Sequence, residues 1–328
     1  VEEAREQIAE LVGVSPAQIV FTGSGTEANN LALCGTGCEF ILASAIEHDS
    51  VLAVANNIEQ LPVDENGVLD LAALAVRLSD IGGQALVSIM QANNETGIIE
   101  PVAEIAGVAH DHGAWMHTDA IQALGKIKVD WTELGVDFIS LSAHKIGGPQ
   151  GVGALVINEE IPLQSLIKGG GQERSRRAGT ENVPGIVGFG AAAKLAAENI
   201  AKANEIKFLR DQLESSVKEI SPDAVVFGED VARLPNTTCL TMPNVSSETQ
   251  VMKFDLTGIM VSAGSACSSG KVQTSHVLKA MGVVEDIAAT AIRVSLGYGN
   301  TMDEVERFVS QWQEIYSQAN PDKLKGAA

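Results

Sequence analysis

The feature that most constrains the fold is an alternation of short buried strands and helices over the first two hundred residues. The pattern predicts strands at 18–21, 40–43, 61–63, 85–90, 114–117, 136–141 and 151–157. Helices follow most of them, as at 69–78 and from Pro101 to about His110. Such βαβα alternation is typical of a doubly wound, mostly parallel sheet with helices packed on it.

Polar clusters follow several of the predicted strands at the point where each strand ends. They come after strands that end near Phe21, Ala43, Met90, Met116 and Leu141. Because the carboxyl ends of parallel strands meet at one edge of a sheet, we expect these clusters to converge there. Open α/β sheets bind their ligands at this edge.

The segment from Ser140 to Gly153 carries the most distinctive of these clusters, Ser-Ala-His-Lys-Ile-Gly-Gly-Pro. Its only lysine, Lys145, follows an apolar strand, and a lysine held among apolar neighbours has a lowered pKa. A neutral lysine can attack a carbonyl and form a Schiff base. The alternative is a surface lysine whose charged end reaches water. The segment alone does not decide between the two.

Two further clusters have a chemical and a structural interpretation. Thr22-Gly-Ser-Gly-Thr26 links a strand to a helix, which makes an anion site from backbone N–H groups and the helix dipole. The alternative is a helix with Thr26 as its N-cap, and the motif is no P-loop because Gly-Lys-Ser/Thr is missing. His48 follows the next strand, with Asp49 or Ser50 as candidate caps of a helix to Asn57.

The second part of the chain predicts a smaller α+β domain. One long helix is expected from Ile186 to about Ile220, and strands near 225–227, 237–242 and 291–296 are expected after it. The domain boundaries are therefore set at 1–200 and 201–328. A loop of small residues in the second domain, Val261-Ser-Ala-Gly-Ser-Ala-Cys-Ser-Ser-Gly270, carries Cys267.

Composition excludes several classes of function. The net charge of −20 argues against nucleic acid or an anionic membrane as a partner. No apolar run approaches the length of a membrane span. Four scattered cysteines do not make a disulfide framework, which favours a reducing cytoplasm. Cys34 and Cys38 lack a second ligand pair, so no metal site is expected.

Seven motifs together resemble one family. They are Gly-Ser-Gly-Thr-Glu-Ala-Asn-Asn, Glu-His, Asn-Asn-Glu-Thr-Gly, Asp-Ala-Ile-Gln, Ser-Ala-His-Lys-Ile-Gly-Gly-Pro, Arg-Arg-Ala-Gly-Thr-Glu-Asn and Gly-Ser-Ala-Cys-Ser-Ser-Gly. In this order, over residues 1–317, they are similar to the pyridoxal-phosphate-dependent cysteine desulfurases of the NifS/IscS type, in the class V aminotransferase family. The resemblance implies the aspartate aminotransferase-like fold, fold type I, of pyridoxal-phosphate-dependent transferases.

The resemblance also implies roles for residues of the first domain. Lys145 would hold pyridoxal phosphate covalently, and Asp119, otherwise a helix cap, would pair with the ring nitrogen. His48 would stack on the ring and move protons. Hydrogen bonds to the cofactor's phenolic oxygen and phosphate would come from Asn94, Gln122, Gly25, Thr26, Ser142 and His144. A threonine matching Thr180 reaches the phosphate from the partner subunit in this family, which implies a homodimer.

The substrate side follows the same resemblance. Arg293, otherwise a surface ion pair, would bind the carboxylate of L-cysteine through two parallel bonds. Cys267 would attack the substrate sulfur, giving alanine and a persulfide for a sulfur acceptor such as an iron–sulfur scaffold protein. Its glycines and serines would give the loop mobility. Cys34, Cys38 and Cys239 are interpreted as small core residues.

Three other functions stay open at this point. A selenocysteine lyase or a small-molecule aminotransferase shares the cofactor chemistry, and an aminotransferase does not need Cys267. A non-catalytic sulfur-assembly protein is the third alternative. Family members begin a few dozen residues earlier, with a segment resembling Asp-Tyr-Ala-Ala-Thr-Thr-Pro, so the chain is expected to be truncated at its start. Gln150 also replaces a lysine that is common in the family.

Overall fold

A computed structural model describes residues 1–55, 57–264 and 274–321 of the chain. The chain divides into two compact units. The first consists of Val1–Asp64, Val68–Asn93 and Ile99–Ala201. The second consists of Lys202–Ala328 together with two short earlier segments, Glu65–Gly67 and Asn94–Ile98. Asn94, from the Asn-Asn-Glu-Thr-Gly cluster, thus belongs to the second unit, whereas the other strand-end motifs belong to the first.

The first unit contains a central sheet and the helices packed on it. Its strands are β1 (Ile19–Thr22), β2 (Phe40–Ser44), β3 (Ile58–Leu61), β4 (Ala85–Ser88), β5 (Trp115–Asp119), β6 (Phe138–Ser142) and β7 (Gly153–Ile157). Its helices are α1 (Glu2–Val12), α2 (Gly25–Gly35), α3 (Asp49–Leu52), α4 (Leu71–Ser79), α5 (Val102–Asp111), α6 (Trp131–Leu134) and α7 (Val183–Ile200). Short 3₁₀ turns occupy Pro16–Gln18, Ala143–Ile146 and Gln172–Ser175.

The seven strands form one sheet in the order β1-β7-β6-β5-β4-β2-β3. Strands β3, β2, β4, β5 and β6 are parallel, and β7 is antiparallel to both of its neighbours, β6 and β1. The predicted mostly parallel sheet is therefore confirmed. Because β7 is antiparallel to both β6 and β1, β1 runs in the same direction as β6. The carboxyl end of β1 therefore lies at the same edge of the sheet as those of the parallel strands.

Apolar side chains cover the sheet and pack it against the helices, as the continuous apolar runs of its strands predict. One cluster of buried residues joins β1 and β7 to α2, with Val20, Leu31 and Leu155 at most 2% exposed. Helix α7 packs along α1. Gly190 makes this contact close, since an added Cβ there would lie 2.6 Å from the Cα of Ala4.

The second unit has its own small sheet and core. Its strands are β8 (Thr237–Thr241), β9 (Ser262–Ala263) and β10 (Ala291–Ser295), all antiparallel, in the order β8-β10-β9. Its helices are α8 (Ala203–Ile220), α9 (Ser247–Asp255), α10 (His276–Ala280), α11 (Glu285–Ala288) and α12 (Met302–Ala319). Phe254 and Phe308 stack at 4.8 Å in its core, and Trp312 lies 6.0 Å from Phe308.

Several predicted elements are wrong in extent. The helix expected over 186–220 is two helices, α7 and α8, because each packs on a different partner: α7 on α1, and α8 on α12. Helix α3 ends at Leu52 instead of Asn57. The strand expected near 225–227 is only a single bridge between Val226 and Leu240. None of the helices formed by the described residues combines the length and apolar character that crossing a membrane requires.

Candidate active site

The carboxyl edge of the first unit's sheet gathers most of the predicted site residues. Asp119 is the last residue of β5, and Lys145 lies in the turn that follows the neighbouring strand β6. Asp119 pairs in register with Ser140 of that strand. Burial raises the pKa of Asp119, and electrostatic interactions with His48 and Lys145 lower it, so the three groups lie within electrostatic range of one another. The convergence predicted from the strand ends is confirmed for these residues.

Lys145 is lifted out of the core by a tight turn. Strand β6 is buried along its whole length, but the 3₁₀ turn Ala143–Ile146 leaves Lys145 exposed. The turn closes on Gly147 at φ 82°, a left-handed conformation that glycine adopts without strain. Of the two alternatives left open for this lysine, the structure shows the exposed one, because the apolar residues of β6 are buried while Lys145 is exposed.

Asp119 is the most constrained group of this edge. It is 6% exposed, and burial, the largest effect, raises the pKa of its carboxyl. The amide of Asn29 donates to Oδ2 at 2.7 Å, and the backbone N–H of Ile121 donates to Oδ1 at 2.9 Å; both lower the pKa again. Asp119 does cap a turn through Ile121, but it also presents a fixed carboxylate at the edge.

His48 is held from one side only. Its Nδ1 accepts from the backbone N–H of Ser50 at 3.0 Å and lies 2.8 Å from the Ser50 hydroxyl. His48 is therefore the N-cap of α3, which corrects the prediction that Asp49 or Ser50 has this role. The side chain is exposed, and no described residue forms a hydrogen bond with its other nitrogen, Nε2.

The turn before α2 has the features of an anion site. Ser24, and not Thr26 as predicted, is the N-cap; its hydroxyl accepts from the N–H of Glu27 at 3.1 Å. The N–H groups of Gly25 and Thr26 lie in the first turn of the helix, where backbone N–H groups have no intrahelical acceptor. A Cβ on Gly25 would lie 2.2 Å from Cδ1 of Ile121 and 3.2 Å from Cβ of Ser142, so a larger residue here would have to displace the Ile121 side chain.

The glycine-rich passage after Lys145 brings β7 against this turn. A Cβ on Gly153 would lie 2.5 Å from the carbonyl carbon of Ser24. Only glycine at this position lets the two backbone segments come so close. On the same side, Ser142 Oγ lies 2.8 Å from His144 Nδ1. Burial and the charge of Lys145 lower the pKa of His144, which favours a neutral imidazole.

Gln122 and Thr180 lie in different surroundings. The amide oxygen of Gln122 accepts from Lys126 Nζ at 2.8 Å, which leaves the amide N–H groups for an outside acceptor. Thr180 is exposed and lines a cavity of about 130 Å³ together with Gly23 and Gly151. Within one chain, Thr180 therefore lies close to the glycine-rich turn that the sequence singled out.

The second unit holds Asn94 and Arg293. Nη1 of Arg293 donates to the backbone carbonyl of Asn94 at 2.8 Å, and Nη2 lies 3.3 Å from the Ser262 hydroxyl. Its Nε is buried and has no hydrogen-bond partner among the described residues. Arg293 forms no ion pair in the described part of the chain, so the alternative of a surface ion pair is not what the structure has.

The cysteines differ sharply in environment. Cys267 lies outside the described residues. Cys239 on β8 is 1% exposed, and burial raises the pKa of its thiol to about 12, as expected of a core residue. Cys34, however, is exposed and Cys38 is half-buried, so the core interpretation is wrong for Cys34. Among the described residues, no group of three or more histidine, cysteine or acidic side chains is arranged to hold a metal ion.

Two groups of buried polar residues were missed by the sequence reasoning. Asn29 is fully buried on α2 and joins Asp119 to Ser50. Glu173 is 9% exposed, and its carboxylate accepts hydrogen bonds from Nη1 and Nη2 of Arg5 at 2.8 and 2.9 Å. A signal for Asn29 did exist: an asparagine in the interior of a helix, flanked by the apolar residues that pack on the sheet, is unfavourable unless its amide is used.

Comparison with known proteins gives a consistent family. The sequence profile "Aminotransferase class-V" matches residues 1–308. A cysteine desulfurase of Sinorhizobium fredii is 45% identical over 93% of this chain and 82% of its own length. A protein named cysteine desulfurase IscS, from Dictyoglomus turgidum, is 40% identical over 96% of this chain and 85% of its own.

Solved structures agree with the sequence relatives. A NifS-like protein from Rickettsia africae superposes with a TM-score of 0.89 at 40% identity, covering 96% of this chain and 87% of that one. A structure described as SspA in complex with cysteine superposes with a TM-score of 0.75 at 33% identity, covering 90% and 86%. These neighbours share the fold of the chain over nearly its whole length.

Proposed function

This chain belongs to the class-V aminotransferase family and, within it, to the cysteine desulfurases, and from that premise we propose how its residues perform the reaction. The proposed reaction converts L-cysteine to L-alanine and leaves the sulfur as a persulfide on Cys267. The observation that carries the proposal is the juxtaposition of Lys145 and Asp119 at the ends of neighbouring strands, where Lys145 lowers the pKa of Asp119.

The residues at the sheet edge fit pyridoxal phosphate. An amine at Lys145, a buried carboxylate at Asp119 and a helix N-terminus at Gly25 match the cofactor's aldehyde, ring nitrogen and phosphate. Helix α2 begins at Gly25, and the N–H groups of its first turn have no intrahelical acceptor and can bind an anion. When bound, the cofactor supplies an aldehyde that condenses with amines and a ring that withdraws electrons from the substrate.

The protein groups would divide the binding of that cofactor among them. Lys145 would hold it through Nζ. Asp119, ionised and fixed by Asn29 and Ile121, would keep the ring nitrogen protonated. The phosphate would take hydrogen bonds from the N–H groups of Gly25 and Thr26 and from the side chains of Ser142 and His144. Gln122 and Asn94 would donate amide N–H groups to the phenolic oxygen.

Substrate binding and proton movement fall to two further side chains. Arg293 would bind the carboxylate of L-cysteine, where a planar guanidinium gives orientation as well as charge. Its contacts to Asn94 and Ser262 hold the guanidinium in place. His48, whose Nδ1 is held by Ser50, would give and take back a proton at Nε2.

Sulfur transfer would use the thiolate of Cys267. Its sulfur attacks the sulfur of L-cysteine, so an S–S bond forms as the substrate C–S bond breaks. The electron pair of the broken bond stays on the substrate carbon, which takes up a proton and becomes the methyl group of alanine. The products are L-alanine and a Cys267 persulfide, with no external oxidant or reductant.

We further propose a homodimer, with Thr180 of each subunit serving the other's phosphate site. Helix α7 follows Thr180 closely and exposes Val183, Val187 and Leu195, at 46, 52 and 58%. These residues repeat every four or eight positions, so they share one face of α7, as expected for a helix that packs on a second subunit. Mixed dimers of Lys145→Ala and Thr180→Ala subunits test this, since one intact site per mixed dimer would restore activity.

The acceptor of the sulfur is proposed to be an iron–sulfur scaffold protein, as the similarity to the protein named cysteine desulfurase IscS suggests. We propose that the reaction takes place in the cytoplasm, because Cys267 must be a reduced thiol to attack the substrate sulfur. The described cysteines, Cys34, Cys38 and Cys239, are all free thiols, in keeping with such a compartment.

Sulfide and alanine release from L-cysteine, in the presence of a thiol reductant, tests the proposal. We expect equal amounts of both products from the wild type and a loss of about a hundredfold or more in Cys267→Ser. Cys34→Ser is the matched control because Cys34 is also exposed, and it should match the wild type. Comparable release from Cys267→Ser would remove the persulfide mechanism. Selenocysteine as a second substrate separates a lyase from a desulfurase.

A further inference from the structure

Asn29 connects two of the proposed active-site groups from behind. It lies on α2 with no exposed surface, and its amide nitrogen has two contacts: Asp119 Oδ2 at 2.7 Å and Ser50 Oγ at 2.8 Å. Ser50 Oγ in turn lies 2.8 Å from His48 Nδ1. A continuous chain of hydrogen bonds therefore runs from Asp119 through Asn29 and Ser50 to His48.

The direction of each hydrogen bond in this chain is fixed by its two ends. An ionised carboxylate only accepts, so the Asn29 group that faces Asp119 is the NH₂, and its second N–H is directed to Ser50 Oγ. That hydroxyl oxygen accepts from Asn29, and its own hydrogen is directed to His48 Nδ1. The backbone N–H of Ser50, which can only donate, also points to Nδ1, at 3.0 Å.

The tautomer of His48 follows from these directions. Because Nδ1 accepts two hydrogen bonds, it carries no hydrogen, and the neutral ring has its hydrogen on Nε2. Nε2 has no hydrogen-bond partner among the described residues and so is the nitrogen left for a reacting group. We propose that Asn29 and Ser50 are positioning residues, which hold His48 as this single tautomer and couple it to the Asp119 carboxylate.

A purely structural role for Asn29 accounts less well for the geometry. Its amide oxygen is buried without a hydrogen-bond partner among the described residues, which costs about 1–3 kcal/mol. An apolar side chain of similar size would avoid that penalty on a helix whose other buried residues, such as Ala28 and Leu31, are mostly apolar. What such a residue could not do is donate to Asp119 and Ser50 together.

The proposal deepens the proposed function, since it takes His48 and Asp119 as the groups that act there. Its first test needs no cofactor: ¹⁵N NMR of the histidine side chains in the cofactor-free protein, with His48 assigned through His48→Gln. We expect an unprotonated Nδ1 and a protonated Nε2. A protonated Nδ1 in the wild type at neutral pH would overturn the proposal.

Variants of the chain give the second test. Ser50→Ala should shift the Nδ1 resonance toward that of a nitrogen with fewer hydrogen bonds and lower kcat about tenfold with KM unchanged. Ser50→Thr keeps a hydroxyl and should restore both. Asn29→Leu removes both donors and should lower kcat about a hundredfold.

Asn30→Ala is the matched control. Asn30 is the adjacent residue of the same type. It donates to the backbone carbonyls of Thr26 and Ser50 and takes no part in the hydrogen bonds that link Asp119 to His48. It should leave the His48 resonances and kcat near wild type. The proposal would be overturned if Asn30→Ala and Ser50→Thr lost as much kcat as Ser50→Ala does. It would also be overturned if Ser50→Ala left both kcat and the Nδ1 resonance unchanged. A wild type that released no sulfide would instead count against the proposed function, and the NMR result would stand.

Discussion

Two histidines of the first unit show how the same side chain serves the interior and the edge of one sheet. His117 on β5 is fully buried, and both of its ring nitrogens are hydrogen-bonded, to Ser88 Oγ at 2.8 Å and to Ser140 Oγ at 2.9 Å. His48 also contacts a serine, Ser50, but through Nδ1 alone, and the rest of its ring is exposed.

The difference lies in what each ring can still do. Burial lowers the pKa of His117 to about 3, so it stays neutral over the physiological range and acts as a crosslink between strands. His48 has one nitrogen fixed and the other without a hydrogen-bond partner among the described residues, which is what proton transfer requires. On position alone, a histidine such as His48, directly after a strand, is more often structural. The burial of the second ring nitrogen of His117 is what separates the two.

The largest effect is expected at the edge, from Lys145→Ala. Removing the amine should lower sulfide release from L-cysteine by on the order of a thousandfold or more, because no other group can hold the cofactor covalently. The variant should keep its circular dichroism spectrum, since Lys145 is exposed. Lys207→Ala, at an exposed lysine on α8, is the control and should keep full activity.

His48→Gln should come next, with a loss in kcat of about a hundredfold. Its free energy of unfolding should fall by only about 1 kcal/mol, because the change removes one N-cap from a four-residue helix. Steady-state kinetics and urea unfolding of the same preparation measure the two quantities. A large loss of stability with normal kcat would place His48 with the structural histidines.

His117→Leu should show the opposite pattern. It leaves the hydroxyls of Ser88 and Ser140 unpaired in the core, which should lower the free energy of unfolding by about 2–3 kcal/mol. The kcat of the folded variant should stay near wild type. Loss of kcat matching that of His48→Gln, at full stability, would remove the distinction between interior and edge.

The pH dependence of unfolding sharpens this prediction. A histidine with a pKa of about 3 in the folded protein and about 6.5 in the unfolded chain contributes stability that is complete above pH 6.5. That contribution is lost as the pH falls toward 3, by up to about 1.4 kcal/mol per pH unit. His117→Leu should therefore weaken the acid dependence of urea unfolding below pH 6.5, and an unchanged slope would contradict the assignment.

The smallest effect is expected from Glu100, a buried carboxyl without an assigned role. Burial raises its pKa to about 7, although the N–H of Leu69 donates to Oε2 at 3.0 Å. Because the folded pKa is raised, its stabilising contribution is present below about pH 4.3 and is lost as the pH rises through 7. Glu100→Gln should therefore stabilise the protein at pH 8 by about 1 kcal/mol or more.

Exposed Glu104 on α5 supplies the control for that change. Glu104→Gln should leave urea unfolding at pH 8 within about 0.5 kcal/mol of the wild type. If Glu100→Gln destabilised the protein at pH 8, its carboxyl would have to be ionised and held by partners in the folded state.

Much of the first unit was predictable, because parallel strands buried on both faces read as apolar runs and their ends carry polar motifs. That is why Asp119 and Lys145 were placed on one edge before the structure was known. The antiparallel position of β7 and the break between α7 and α8 were not predictable, since both depend on which distant element a segment packs against. The periodicity of a sequence does not record that choice.

The site itself was predictable in its residues and less so in its surroundings. Motifs indicated His48 and Gly25, but the exposure of Lys145 depends on a 3₁₀ turn that lifts one residue out of a buried segment. The role of Asn29 depends on its hydrogen bonds to Ser50 and Asp119, which are 21 and 90 positions away in the sequence. It also depends on His48, which Asn29 reaches through Ser50. Such contacts appear only once the chain is folded.

The account rests on Lys145 as the residue that carries the cofactor at the carboxyl edge of the sheet. Reduction of the pyridoxal-phosphate-loaded protein with borohydride, followed by peptide mapping, tests this most directly. The predicted result is one stoichiometric pyridoxyl modification, on Lys145, that is absent from Lys145→Ala. A protein that takes up no pyridoxal phosphate, or carries the modification on another lysine with Lys145 untouched, would contradict it.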